Sequence, residues 1–133
     1  MKVDTILETC LYVEDLKKAE KFYTDVLGLG YHTREDGRHV FLRCGKTMLL
    51  LFFPDKTKDP DKDVPTHGAY GPGHVAFRIH ESDYSKWLQK LIGHGIVIET
   101  EIEWPGGGKS IYFRDPDGNS LELATSQTWG ISE

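Results

Sequence analysis

The chain is short of sulfur, of long apolar runs and of basic stripes, and each shortage removes a class of protein. Two cysteines in 133 residues, Cys10 and Cys44, are too few and too scattered for a disulfide framework or a CxxC zinc site, and read as two buried thiols. No apolar span reaches membrane length, and the start, Met1-Lys2-Val3-Asp4, has no apolar stretch behind a basic segment. Both point to a cytoplasmic protein with no membrane partner. Sixteen basic residues against twenty-one acidic give a formal charge of −5, and no run of Lys or Arg forms a stripe that would track a phosphate backbone, which argues against nucleic acid as a partner. The glycine-rich Trp104-Pro105-Gly106-Gly107-Gly108-Lys109 has neither P-loop nor dinucleotide spacing, and no helix follows it. It reads as a flexible rim in which Lys109 is exposed. One domain with a proper core fits the length.

What the chain does have is a near-repetition of itself. Glu8-Thr9-Cys10-Leu11-Tyr12-Val13 recurs as His74-Val75-Ala76-Phe77-Arg78-Ile79, an alternating strand led each time by a side chain able to bind metal. In the first copy, Asp15 can cap a helix whose apolar Leu16, Ala19, Phe22, Tyr23, Val26 and Leu27 fall at helical spacing. Strand-like segments follow at about 29–35, 38–44 and 47–53, turned by Asp36-Gly37 and by Cys44-Gly45-Lys46. The second copy gives a strand at 74–79 and a helix capped near Ser82 that buries Tyr84, Trp87, Leu88, Leu91 and Ile92. Strands then fit at about 96–103, 109–113 and 119–124, the last turn being Asp115-Pro116-Asp117-Gly118. The fold class expected is therefore α+β: two βαβββ modules forming a cupped, barrel-like mixed sheet with helices on its outer face. The whole of 1–133 is expected to be a single domain, with module 1 at about 4–53, a connector at 54–73, module 2 at about 74–125 and a tail at 126–133. The connector's first part is charged and proline-rich, so it reads as mobile. Its end, Thr66 to Gly73, runs directly into His74, which makes His67 or Tyr70 a candidate lid.

Period-two arithmetic decides which side chains share a surface. If Leu7, Leu11 and Val13 pack under the first helix, Glu8, Cys10 and Tyr12 face the other way. The same logic puts His74, Ala76 and Arg78 opposite Val75, Phe77 and Ile79, Glu122 opposite Leu121 and Leu123, and Tyr112 opposite Ile111 and Phe113. Glu8, His74, Tyr112 and Glu122 can then line one concave surface, with Met48, Leu50 and Phe52 giving one wall an apolar character. Arg43 and Arg78 are candidate cavity cations for an anionic substrate, or else solvated strand ends. His39 is a weaker candidate.

Leu11-Tyr12-Val13-Glu14-Asp15-Leu16, Lys21-Phe22-Tyr23-Thr24-Asp25-Val26-Leu27-Gly28-Leu29, Gly73-His74-Val75-Ala76-Phe77 and the segment from Ser110 to Leu123 with its Asp115-Pro116-Asp117-Gly118-Asn119 core together resemble the vicinal oxygen chelate superfamily. That superfamily includes glyoxalase I, bleomycin-binding proteins, fosfomycin resistance proteins and extradiol dioxygenases. The resemblance spans nearly the whole chain. It implies paired βαβββ modules, usually in a homodimer, with a divalent metal in the cup of the enzymatic members. Carried over residue by residue, it makes His74 and Glu122 metal ligands and places Glu8 where many members have His or Gln. A fourth ligand position falls on Leu50, which cannot ligate. Glu8, His74 and Glu122 remain as a three-ligand set for Fe, Mn, Zn or Ni, with open positions for water and substrate.

The function expected is a metalloenzyme that chelates vicinal oxygens of a small molecule, of isomerase, lyase or dioxygenase type. Glu8 or Glu122 would move a proton and Tyr112, ten residues before Glu122, would donate a hydrogen bond. His67, Arg43 and Arg78 are the candidate substrate contacts. A fosfomycin-resistance-like thiol transferase is one alternative, and a non-catalytic bleomycin-resistance-like binding protein is another of a different class.

Overall fold

In the computed structural model, which describes residues 1–60 and 62–133, the chain forms two units, Met1–Gly71 and Pro72–Glu133. Asp61, within the expected connector, lies outside the described residues. Each unit has the βαβββ order that the repetition implied. Unit 1 runs β1 (Glu8–Tyr12), α1 (Leu16–Asp25), β2 (Gly30–Glu35), β3 (His39–Cys44) and β4 (Thr47–Phe52), in a sheet of order β1-β4-β3-β2. A helical turn, α2 (Pro54–Thr57), follows it. Unit 2 runs β5 (His74–Ile79), α3 (Tyr84–Gly93), β6 (Thr100–Glu103), β7 (Lys109–Arg114) and β8 (Ser120–Thr125), in a sheet of order β5-β8-β7-β6.

Local chemistry accounts for these boundaries. Asp15 caps α1 by accepting from the Lys18 N–H at 3.0 Å, satisfying one of the four free donors at a helix start. Ala19, Phe22 and Tyr23 of α1 and the adjoining Val26 and Leu27 are buried. With Leu11, Val40, Leu42, Leu49 and Leu51 they make the core of unit 1, since α1 lies against β2, β3 and β4. In β4 the alternation breaks down, because Leu50 and Phe52 on the other face are buried as well.

The second helix departs from expectation at both ends. A 3-10 turn, Glu81–Asp83, precedes α3, and no side chain caps its start. Ile92 stays 59% exposed; it lies about 100° around the helix from buried Leu91, at the edge of the apolar stripe. The helix ends in a Schellman motif, in which the Ile96 N–H reaches the Leu91 carbonyl (3.0 Å) and the Gly95 N–H reaches that of Ile92 (2.9 Å), with Gly95 at φ +73°. Residues 96–99 are spent on that exit, so β6 begins only at Thr100. The proline-rich connector also has structure at its head. Pro54 opens α2 at a position where a missing N–H costs nothing, Thr57 is buried, and its carbonyl accepts from the His67 N–H at 3.0 Å.

The two sheets share one register. In unit 1, Glu8 pairs with Met48, Cys10 with Leu50, and Phe41 with Leu50. In unit 2, His74 pairs with Ser120, Ala76 with Glu122, and Tyr112 with Glu122. Glu8 therefore holds in unit 1 the place of His74 in unit 2, Leu50 that of Glu122, and Phe41 that of Tyr112.

The turn between β7 and β8 fixes the start of β5. Asp115, 5% exposed, accepts from the N–H groups of Asp117 and Asn119, each at 2.9 Å, and from the Asn119 amide at 2.9 Å. Gly118 takes φ +87° to close the loop. The Asn119 side-chain Oδ1, now oriented, accepts from the Gly73 N–H at 2.7 Å, and the Ser120 N–H donates to the Gly73 carbonyl at 2.9 Å. His74 thus leaves a pinned residue. Asn119→Ala is expected to reduce stability in urea unfolding by about 1–3 kcal/mol, the cost of orphaned buried polar groups, against about 1 kcal/mol for the exposed cap variant Asp15→Ala. A smaller loss for Asn119→Ala than for Asp15→Ala would mean that this turn is not a fixed point.

Candidate active site

On one face of the unit 2 sheet, the pleat brings together side chains from three strands. His74 stands at the start of β5, Glu122 in the middle of β8, and Tyr112 across from Glu122 on β7. The His74 Nε2 lies 3.4 Å from Glu122 Oε2. The His74 Nδ1 lies 3.0 Å from the Ser120 carbonyl oxygen, and because a carbonyl can only accept, Nδ1 carries the proton. Nε2 is thereby aimed at Glu122, the arrangement in which a second partner orients an imidazole for ligation.

Glu122 is only 7% exposed, whereas the His74 side chain is half exposed. A carboxylate withdrawn this far from water needs donors or a cation. Ser110, two residues before Tyr112 on the same face of β7, donates its hydroxyl to Glu122 Oε1 at 2.5 Å, and the Trp104 indole donates to Ser110 Oγ at 2.9 Å. The Tyr112 ring lies nearly parallel to that of His74, 6.4 Å away. Burial, and next the hydrogen bond to Glu122, push the Tyr112 phenol above its ordinary pKa.

These groups pass a test of fit for a divalent cation. Two donors each about 2.1 Å from one ion are about 3.0–3.4 Å apart at the angles of octahedral and tetrahedral centres, and the His74 to Glu122 distance falls in that interval. The remaining oxygen of Glu122 and the remaining nitrogen of His74 are both occupied by orienting partners. Among the described residues, no three His, Cys, Asp or Glu side chains gather as a metal-binding group. Unit 2 supplies two donors, and Glu8 belongs to unit 1.

Glu8 is exposed at the mouth of a unit 1 cavity of about 700 Å³ whose floor includes Phe41, Leu50 and Phe52. His67 also lines it, its Nδ1 2.6 Å from the Tyr12 hydroxyl and its ring 4.7 Å from that of Phe52. Burial, with Cys10 adding repulsion, pushes the Tyr12 phenol up to about 12. Tyr70, the other candidate lid residue, is 64% exposed, hydrogen-bonded to Asp55, with Lys58 Nζ 3.9 Å from its ring centroid. Arg43 is exposed and turned to His32 Nδ1 at 3.1 Å. Arg78 is exposed on β5. The structure thus joins His74, Tyr112 and Glu122 in unit 2, and Glu8 with His67 around the unit 1 cavity. Ser110 was missed in the sequence, although its parity matches that of Tyr112. Trp104 was missed because its bond to Ser110, six residues on, depends on the path of the loop between them.

Known proteins resemble this chain over most of its length. The model of the glyoxalase/bleomycin resistance protein/dioxygenase superfamily matches residues 5–123. The chain is 30% identical over 125 residues to the metallothiol transferase FosB of Staphylococcus saprophyticus, covering 92% of this chain and 78% of that protein. It is 33% identical over 115 residues to the glutathione transferase FosA of Serratia marcescens, covering 85% and 74%. The crystal structure of a lactoylglutathione lyase from Agrobacterium tumefaciens matches with a TM-score of 0.94 at 39% identity, over 98% of this chain and 100% of that one.

Two measurements examine the unit 2 cluster. Nitrogen-15 NMR at neutral pH should show His74 as the tautomer protonated at Nδ1. In an ultraviolet titration, the Tyr112 phenol should ionise above the usual tyrosine range. Glu122→Gln should bring it only partway down, since burial is the larger cause and remains; no change would separate the phenol from Glu122.

Proposed function

The chain belongs to the glyoxalase/bleomycin resistance protein/dioxygenase superfamily, and on that premise we propose that it is a metal-dependent enzyme acting on a small molecule with vicinal oxygens. The reaction proposed uses a thiol or a thiol adduct, as a thiol transferase or a lyase does. Glu8, His74 and Glu122 are assigned as the protein ligands of a divalent cation, in a single domain that works as a homodimer. The observation that carries this reading is the His74–Glu122 pair, 3.4 Å apart, with the outer atom of each already held by Ser120 and Ser110.

A divalent cation at this set supplies Lewis acidity to the substrate oxygens. The chain's own groups do the rest. Two carboxylates and a neutral imidazole balance a double positive charge, so negative charge gained by the substrate is the only excess within the site. Leu50, in the place of Glu122 on the other sheet, offers no donor and leaves the remaining positions to substrate and water. Tyr112, a phenol protonated at neutral pH and hydrogen-bonded to Glu122, becomes a donor toward a substrate oxygen once a cation takes over the charge of Glu122. In thiol addition, a sulfur–carbon bond forms, a carbon–oxygen bond breaks, and the thiol proton ends on the freed oxygen. Glu8, exposed at the mouth of its cavity, is the carboxylate placed to relay that proton, while buried Glu122 stays with Ser110. The relatives named metallothiol transferase, glutathione transferase and lactoylglutathione lyase support this choice over ring-cleaving dioxygenation.

Elemental analysis of protein purified without added metal is expected to find a divalent metal at about one ion for each Glu8, His74 and Glu122. Glu8→Ala and His74→Ala should each weaken binding by more than the 10- to 100-fold typical of losing an orienting partner, while Ser110→Ala should fall within that interval. Normal metal content in both alanine variants would defeat the ligand assignment, and metal-free wild-type protein that still bound small molecules would favour a non-catalytic binding protein.

A further inference from the structure

The unit 1 cavity is built from rings. His39 stacks on Phe41 with centroids 4.0 Å apart and planes 10° from parallel. Phe52 stands edge-on to Phe41 at 5.6 Å, to His39 at 5.9 Å and to His67 at 4.7 Å, and Tyr12, bonded to His67, lies 6.4 Å from Phe52. Leu50 fills the floor, and Val64 and Pro65 of the connector line it as well. Such a cage offers both ring faces and ring edges to a flat guest, and about 700 Å³ is ample for one.

Its charges point away from an anionic guest. The two cations that line it are already engaged. Arg38 donates to the Lys56 carbonyl at 3.1 Å and pairs with Glu35 at 3.3 Å, and Lys62 pairs with Glu35 at 2.8 Å. Three carboxylates, those of Glu8, Glu35 and Asp63, face those two cations around the lining. Burial holds the His39 pKa down, so its ring is neutral at pH 7 and adds no positive charge.

We propose that this cavity selects the substrate, and that it takes an uncharged aryl group in preference to a small anion. The assignment deepens the enzymatic reading above, on which it rests for the reacting end of the molecule. With the ring on Phe41 and Phe52, the polar end of the substrate lies at Glu8, at the mouth. A pocket for a small, doubly charged substrate would instead keep a cation unpaired.

The test uses the full chain with naphthalen-2-ol as the aryl probe and inorganic phosphate as the anion, followed by carbon–proton NMR of the methyl groups. Naphthalen-2-ol should shift the Leu50 and Val64 methyl signals, and phosphate should leave them still. Phe41→Leu, at a half-buried position, should weaken naphthalen-2-ol binding about tenfold, with circular dichroism confirming an intact fold. Lys62→Ala should leave that binding unchanged. Phosphate shifting these methyls while naphthalen-2-ol does not, or undiminished naphthalen-2-ol binding to Phe41→Leu, would overturn the proposal. Metal content separates the two readings. Aryl binding without metal removes the enzyme and keeps the pocket, whereas full metal content without aryl binding removes the pocket and keeps the enzyme.

Discussion

A carboxylate taken out of water is the constraint around which unit 2 is arranged. Removing such a charge from solvent costs several kcal/mol even after relaxation, and Glu122 is 7% exposed. The neighbouring strands answer that cost with specific groups. β7 contributes the Ser110 hydroxyl and the Tyr112 phenol, the loop before it contributes Trp104 to orient Ser110, and β5 contributes the His74 imidazole. Ser110, Tyr112 and Trp104 bring no positive charge, and His74 has its Nδ1 committed to the Ser120 carbonyl. The same desolvation that makes Glu122 expensive would strengthen its attraction for a cation placed between its Oε2 and His74 Nε2.

The paired register of the two sheets turns duplication into division of labour. Where unit 2 has His74, Tyr112 and Glu122, unit 1 has Glu8, Phe41 and Leu50 at the corresponding positions. One set is polar and gathered around a buried carboxylate. The other keeps a single carboxylate at the rim and gives the interior over to apolar and aromatic side chains. The backbone scaffold is indifferent to this exchange, since each replacement leaves strand pairing untouched. Chemistry on such a scaffold is therefore decided by a few side chains per sheet, and fold alone does not specify a reaction.

Much of this was legible in the amino-acid pattern. The repetition of Glu8 as His74 announced two similar units, Asp15 announced a helix start, and the Asp-Pro-Asp-Gly-Asn turn announced a tight reversal that placed Glu122 on a known face. Parity was sufficient to put His74, Tyr112 and Glu122 together because a strand has only two faces. It was insufficient where both faces of a strand are covered, as at Leu50 and Phe52. It was also blind to Trp104, whose bond to Ser110 depends on the path of a loop. The aromatic cage eluded the pattern for a related reason. His39, Phe41 and Phe52 alternate along two strands, yet their stacking with His67 needs the connector to return to the sheet, which the Thr57–His67 hydrogen bond brings about and no local periodicity encodes.

The pinned turn before β8 has a consequence for the chemical ageing of the protein. Asparagine followed by a small residue degrades when the next backbone nitrogen attacks the side-chain amide and closes a five-membered imide. At Asn119 that nitrogen, on Ser120, is bonded to the Gly73 carbonyl, and the amide is held on one side by Asp115 and on the other by the Gly73 N–H. Neither partner can rotate into position without breaking the tie that sets His74. The fixed start of β5 at His74 and the resistance of this asparagine to deamidation thus have one origin in the same turn.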